Sequence, residues 1–131
     1  MRIIAVALLM ALAGCATMEQ KPANLMGDWG GPHIGLVLEG GLGKVSYDCA
    51  SGTIDKAIIP GPEGRFTVPG THIEGQGGPV RVGQIFRSQP ATFSGMVTGQ
   101  QMTLRVVLED GTALGPFALT ENAEPQLTRC L

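Results

Sequence analysis

His72, Ile73 and Glu74 place an imidazole and a carboxylate two residues apart, so an extended backbone turns both toward one face. With His33, the only other histidine, they form the candidate set for a two-histidine, one-carboxylate metal site. The same groups could serve as a general base and the acid that orients it. Either use requires the strand after His33 and the strand ending at Glu74 to meet. The plainer reading of residues 70–78 is a polar loop with a solvated histidine and glutamate, and both readings stand open here. Covalent catalysis has less to build on. Ser46, Ser51, Ser88 and Ser94 fall in no G-x-S-x-G or S-x-x-K motif. Gly40-Gly41-Leu42-Gly43-Lys44 lacks the spacing of a phosphate loop and precedes no helical pattern, so a hairpin turn accounts for it better. Arg65, Arg81, Arg87 and Arg105 lack interleaved aromatics and read as solvated strand faces rather than a nucleic-acid platform. Residues 48–52 and 77–79 are candidate rigid loops of the kind a small inhibitor presents, because preorganisation lowers the cost of association; plain turns are the simpler reading.

The N-terminus carries chemistry of another kind. Met1-Arg2 supplies one positive charge, and Ile3 to Ala13 is an unbroken apolar run of eleven residues. A permanent membrane helix needs about 20 residues, so this run reads as the apolar core of a secretory signal peptide. Leu12-Ala13-Gly14-Cys15 then resembles, residue for residue, the lipobox of bacterial lipoproteins. The resemblance implies cleavage between Gly14 and Cys15, a diacylglyceryl group on the Cys15 thiol and acylation of the new amino terminus. Two or three acyl chains hold a protein on a bilayer where one alone is marginal, at ~0.8 kcal/mol per buried CH₂. Ala16, in place of the Asp that favours inner-membrane retention in enterobacterial lipoproteins, points to the outer membrane. The chain then divides into a leader (1–14), a lipidated cysteine with a polar tether (15–24) and a folded domain (25–131).

Lipidation of Cys15 would leave Cys49 and Cys130, which an oxidising periplasm is expected to pair. The bond would span 81 residues. For a loop of that size the chain-entropy limit is about 4–5 kcal/mol. It would also pin a terminus that otherwise frays.

The elements that must position these groups read as short strands. Ile34, Leu36 and Leu38 alternate with other residues before the Glu39-Gly40-Gly41 turn, and Val45, Tyr47 and Cys49 share the next face. Further runs cover residues 53–59, 65–74 and 80–87. Pro69 is expected to confine the 65–74 strand to an edge or a bulge. Phe93 and Val97 lead to a two-residue turn at Gly99-Gln100. Met102, Leu104, Val106 and Leu108 show the clearest alternation, and Asp110-Gly111 predicts a type I′ turn before a last strand at 114–120.

With 20 Gly and 9 Pro among 131 residues, 44% hydrophobic and 15% charged, the composition argues against disorder, a coiled coil or an extended helix. A net charge of −2 gives no electrostatic reason to bind nucleic acid. The expected fold is all-β, a small antiparallel barrel of about eight short strands with one disulfide, or alternatively a compact sandwich. The predicted interior is Trp29, Leu36, Leu38, Val45, Tyr47, Phe66, Val68, Phe93, Val97, Leu104, Val106, Phe117 and Leu119. Gly27-Asp28-Trp29 resembles the G-x-W element of lipocalin-like (calycin) barrels, which implies that Trp29 plugs one barrel end with a late arginine, Arg129, packed over it.

Given the absence of catalytic motifs, the functional expectation is a lipid-anchored envelope protein, a non-enzymatic binding or interaction module facing the periplasm. Its expected partners are the membrane, through the anchor, and an envelope or secreted protein, with no cofactor beyond the covalent lipid. Two alternatives are an inhibitor of a secreted hydrolase such as a lysozyme or protease, and a metal-binding or metal-dependent protein using His72 and Glu74. A binder of a small apolar ligand is a further one.

Overall fold

The computed structural model describes residues 24–75, 82–83 and 87–128. Eight strands follow in chain order: β1 (Gly27–Gly31), β2 (Ile34–Glu39), β3 (Leu42–Tyr47), β4 (Ala50–Ile54), β5 (Arg65–Glu74), β6 (Ser88–Thr98), β7 (Gln101–Leu108) and β8 (Ala113–Glu121). Each pairs antiparallel with its chain neighbour, and β1 pairs with β8, so the sheet closes into a barrel. Closure removes the exposed edges that a sandwich would keep.

Period-two alternation fills the interior. In β7 Met102, Leu104, Val106 and Leu108 are buried and every residue between them is exposed. Ten of the thirteen predicted interior residues are buried, and Tyr47, Val97 and Phe117 pack partly buried against them. Ile34, Ile54, Ile58 and Ala91 complete the core together with Met102 and Leu108. Each large apolar side chain taken from water contributes about 1.5–3 kcal/mol.

Several strand boundaries differ from expectation. The predicted strand at 53–59 is instead β4, ending at Ile54, and Ile58 turns back from the following loop into the core. Residues 50–52 belong to β4 and not to a protruding loop, which reduces the β3–β4 connection to Asp48 and Cys49. The glycine-rich β1 was not expected as a strand of its own. Most of the predicted 80–87 strand lies outside the described residues, and Val82-Gly83 is a turn. The β7–β8 connection is four residues long with positive φ at Gly111 and not at Asp110, so it is not a type I′ turn. The Asp110 carboxylate directs it instead, accepting the Thr112 amide at 2.9 Å. At Gly40-Gly41 both residues do take positive φ, 57° and 84°, as a tight turn between β2 and β3 requires.

Pro69 lies on neither an edge nor a bulge. Its carbonyl accepts Asp55 N at 3.1 Å on the β4 side, one step past the last β4–β5 pair, Ile54↔Gly70. Its nitrogen points the same way, so no ladder bond is lost. Pro90 repeats the device at the end of β7, where its carbonyl accepts Glu109 N at 3.0 Å beyond the Ala91↔Leu108 pair.

The meander gives the barrel two unlike ends. The first holds the chain entry and the β2–β3, β4–β5 and β6–β7 connections. It is closed by apolar groups: Leu25 N donates to Ile58 O at 2.8 Å, Ile58 is buried, and Trp29 donates its Nε1–H to Met26 O at 3.3 Å. The second end holds the β1–β2, β3–β4, β5–β6 and β7–β8 connections.

After β8 the chain runs back along the outside of β1 and β2 as a strap. Asn122 N donates to Asp28 O at 2.7 Å, Gln126 N to Gly31 O at 3.0 Å, and His33 N to Gln126 O at 2.9 Å. Gly30 and Gly35 face each other in register beneath it. A Cβ on Gly30 would run into Ala123 O and stand 2.7 Å from Pro125 N, and one on Gly35 would stand 2.6 Å from Pro125 Cγ. These two glycines form the seat of the strap. They lie beside the closing β1–β8 seam, which holds only two register pairs.

Candidate functional site

His72 is the one buried residue with a polar or charged side chain among the described residues, at 6% exposure. The alternation of β5 turns Phe66, Val68, Gly70 and His72 inward, and His72 falls one rung from the second end. Tyr47, the last residue of β3, reaches the same space; its ring lies 5.8 Å from the His72 ring and 5.6 Å from Phe117. Among the described residues His72 Nδ1 and the Tyr47 hydroxyl are both buried without a hydrogen-bond partner. An orphaned buried polar atom costs about 1–3 kcal/mol of desolvation, and a pair of them in one apolar barrel calls for a reason. Burial drives the Tyr47 hydroxyl well above the ordinary phenol range, so it remains protonated and can donate a hydrogen bond.

Other polar groups stand at the same end of the barrel. Gln89 stands opposite His72 in the β5–β6 register, and its Oε1 accepts Asp110 N at 3.4 Å. The Asp110 carboxyl is held below the usual carboxylate range, chiefly by the Thr112 hydroxyl and amide, with smaller help from Gln89 and the charge of His72. Asp48 sits at the β3–β4 turn beside Tyr47. Its Oδ2 meets His33 Nδ1 at 2.7 Å and its Oδ1 accepts Thr128 N at 2.7 Å. The strap is thereby latched to the second end.

The candidate residues occupy this end without forming one group. His33, at φ 66° in the β1–β2 turn, has 61% of its side chain exposed and spends Nδ1 on Asp48. His72 points into the barrel. Glu74 ends β5 exposed, and its backbone amide donates to Arg87 O at 2.8 Å. Among the described residues no cluster of three or more His, Cys, Asp or Glu could hold a metal ion. Among the described residues no carboxylate hydrogen-bonds His72 Nδ1 to orient it.

Trp29 of the G-x-W element is buried, at 2% exposure, near the first end. Its expected partner Arg129 lies outside the described residues, as do Gly14, Cys15, Cys130, Arg81 and residues 77–79. Sequence reading missed Asp48, whose partners are 15 and 80 residues away. It also missed the pairing of Tyr47 with His72, which comes from strands that are not neighbours.

Fold and site together define a closed, eight-stranded antiparallel barrel with one apolar end and one end lined by hydrogen-bonding groups. No family model, curated protein or solved structure matches the chain.

Proposed function

We propose that this chain is a bacterial lipoprotein, cleaved between Gly14 and Cys15 and acylated on Cys15. It is a non-enzymatic binding module of the cell envelope, on the periplasmic face of the outer membrane. The observation that carries the binding reading is the buried Tyr47 hydroxyl and His72 Nδ1, left without hydrogen-bond partners among the described residues at the second end, while the first end is plugged with apolar groups. The tether supports the orientation. The described chain begins beside the first end, and nine residues beyond Cys15 reach at most about 30 Å, so the first end stays near the bilayer and the second is presented away from it.

A Cys49–Cys130 disulfide belongs to the same proposal. Cys49 is not a free thiol. The Thr128–Asp48 bond brings the strap beside Cys49, leaving two residues, about 7 Å of chain, to reach Cys130. That reach suits the ~4.4–6.8 Å between the Cα atoms of a disulfide.

Native mass spectrometry of the protein extracted in mild detergent tests the binding reading. A bound mass retained by the wild type and lost in Tyr47→Phe and His72→Phe is the expected result. No bound mass, or one indifferent to both substitutions, contradicts it. A hydrolase-inhibitor role is the second reading, favoured by the short Asp48-Cys49 turn that the strap braces. Full activity of a lysozyme and protease panel under excess protein removes that role. The metal reading is tested by zinc titration with and without His72→Ala, where equal weak binding ends it.

A further inference from the structure

On the outside of β5, β6 and β7 a shallow groove of about 560 Å³ is lined by Arg65, Thr67, Ser94, Met96, Thr103 and Arg105. The register explains the grouping. Thr67, Ser94 and Arg105 face one another across the three strands as one outward row, and Arg65, Met96 and Thr103 form the next. The two arginines therefore occupy opposite corners, two strands and two residues apart, roughly 12 Å at ~4.8 Å per strand and ~3.4 Å per residue. The hydroxyls of Thr67, Ser94 and Thr103 lie between them. Opposite Arg105 the register shifts, because β8 carries one extra residue between the Leu104↔Phe117 and Val106↔Leu114 pairs. A bulge of this kind re-aims side chains at its site, and it brings Pro116 to the groove's edge.

The charges are available. Among the described residues Arg105 makes no ion pair, whereas Arg65 meets Glu63 at 3.3 Å with both side chains 75% exposed, a pairing a ligand displaces easily. Two guanidinium groups at one groove of a chain with net charge −2 make a local positive site on an otherwise acidic molecule. We propose that this groove binds an acidic polysaccharide, its carboxylate or phosphate groups held by Arg65 and Arg105 and its hydroxyls by the Ser/Thr row. A guanidinium fork suits a planar carboxylate bidentately. Met96, 41% exposed, offers an apolar spot to the sugar's C–H face. An acidic peptide fits less well. The groove lies in the middle of a closed sheet, which has no edge for strand addition, so a peptide backbone finds no ladder to join.

The test is titration of the detergent-extracted protein with polygalacturonate, with neutral dextran and polyglutamate as comparisons. The expected result is salt-sensitive binding of the polyuronate above both. Arg105→Gln should weaken it at least tenfold, Thr67→Val less, and Lys44→Gln, which removes the same charge from β3, should leave it unchanged. Circular dichroism confirms that each variant folds, and Arg105→Lys should restore only part of the affinity. Absence of polyuronate binding, equal loss in Lys44→Gln, or tighter binding of polyglutamate overturns the proposal.

Discussion

Asp48 ties three separate parts of the chain together, and its removal has a calculable consequence. Its two oxygens each hold one partner at 2.7 Å, Thr128 N and His33 Nδ1. The His33 contact is exposed on the imidazole side, so it is worth about 0–1 kcal/mol. The amide bond to a carboxylate contributes about 1.5–3 kcal/mol. Asp48→Ala should therefore cost about 1.5–4 kcal/mol, and for a domain near 100 residues each kcal/mol lowers Tm by about 4–8 °C. Asp48→Asn keeps a neutral acceptor for Thr128 and should lose roughly half as much. Urea unfolding gives the stability, and amide exchange locates it: Thr128 should lose its protection, Gln126 should follow, and the β6–β7 amides should stay the slowest. Unchanged Thr128 exchange, with stability within about 0.5 kcal/mol of wild type, the range of an ordinary surface substitution, would refute the latch.

Tyr47 is the only tyrosine, so absorbance at the phenolate wavelength reports it alone. Burial raises its folded pKa above the ordinary 10.0, so the folded protein should show no phenolate step there. Because the folded value is the higher one, this contribution to stability is intact below pH ~10 and is lost as pH rises beyond it; a normal midpoint near 10 in the folded protein would place the hydroxyl in water. Asp110 is shifted the other way, so its contribution holds above the ordinary carboxyl range and disappears as pH falls through its lowered folded value. Its carboxyl carbon should titrate below an unperturbed aspartate with the Thr112 amide shift following, and a midpoint at or above the ordinary value contradicts the turn assignment. Gly30→Ala should cost about 1–3 kcal/mol by overpacking against strap backbone that cannot step aside. Thermal unfolding unchanged in that variant would show that the strap does not sit there.

Most of the fold was legible because its cause is local. In β7 four apolar residues at period two announce both the strand and the face it buries, and the result is independent of every other strand. β1 carries no such signal: its Gly30 and Gly31 are there for close approach to the strap and to β8, partners that pattern reading does not see. Pro69 shows the same limit, since its tolerance depends on where the neighbouring strand stops. The candidate site was legible in part. The period-two spacing put His72 and Glu74 on one face, but the position of the barrel's rim decides that one is buried and the other exposed. His33 belongs to a turn whose geometry commits it to Asp48. Arg65 and Arg105 become neighbours only through the β5–β6–β7 register, which no local pattern specifies.

Intact-mass analysis of the protein extracted from membranes tests the central proposal most directly, that this is a lipid-anchored barrel carrying a disulfide-pinned strap. The predicted species starts at Cys15, carries diacylglyceryl and N-acyl masses, and gains alkylation at Cys49 and Cys130 only after reduction. A chain that retains Met1, an unacylated Cys15, or cysteines that alkylate without reductant would contradict it.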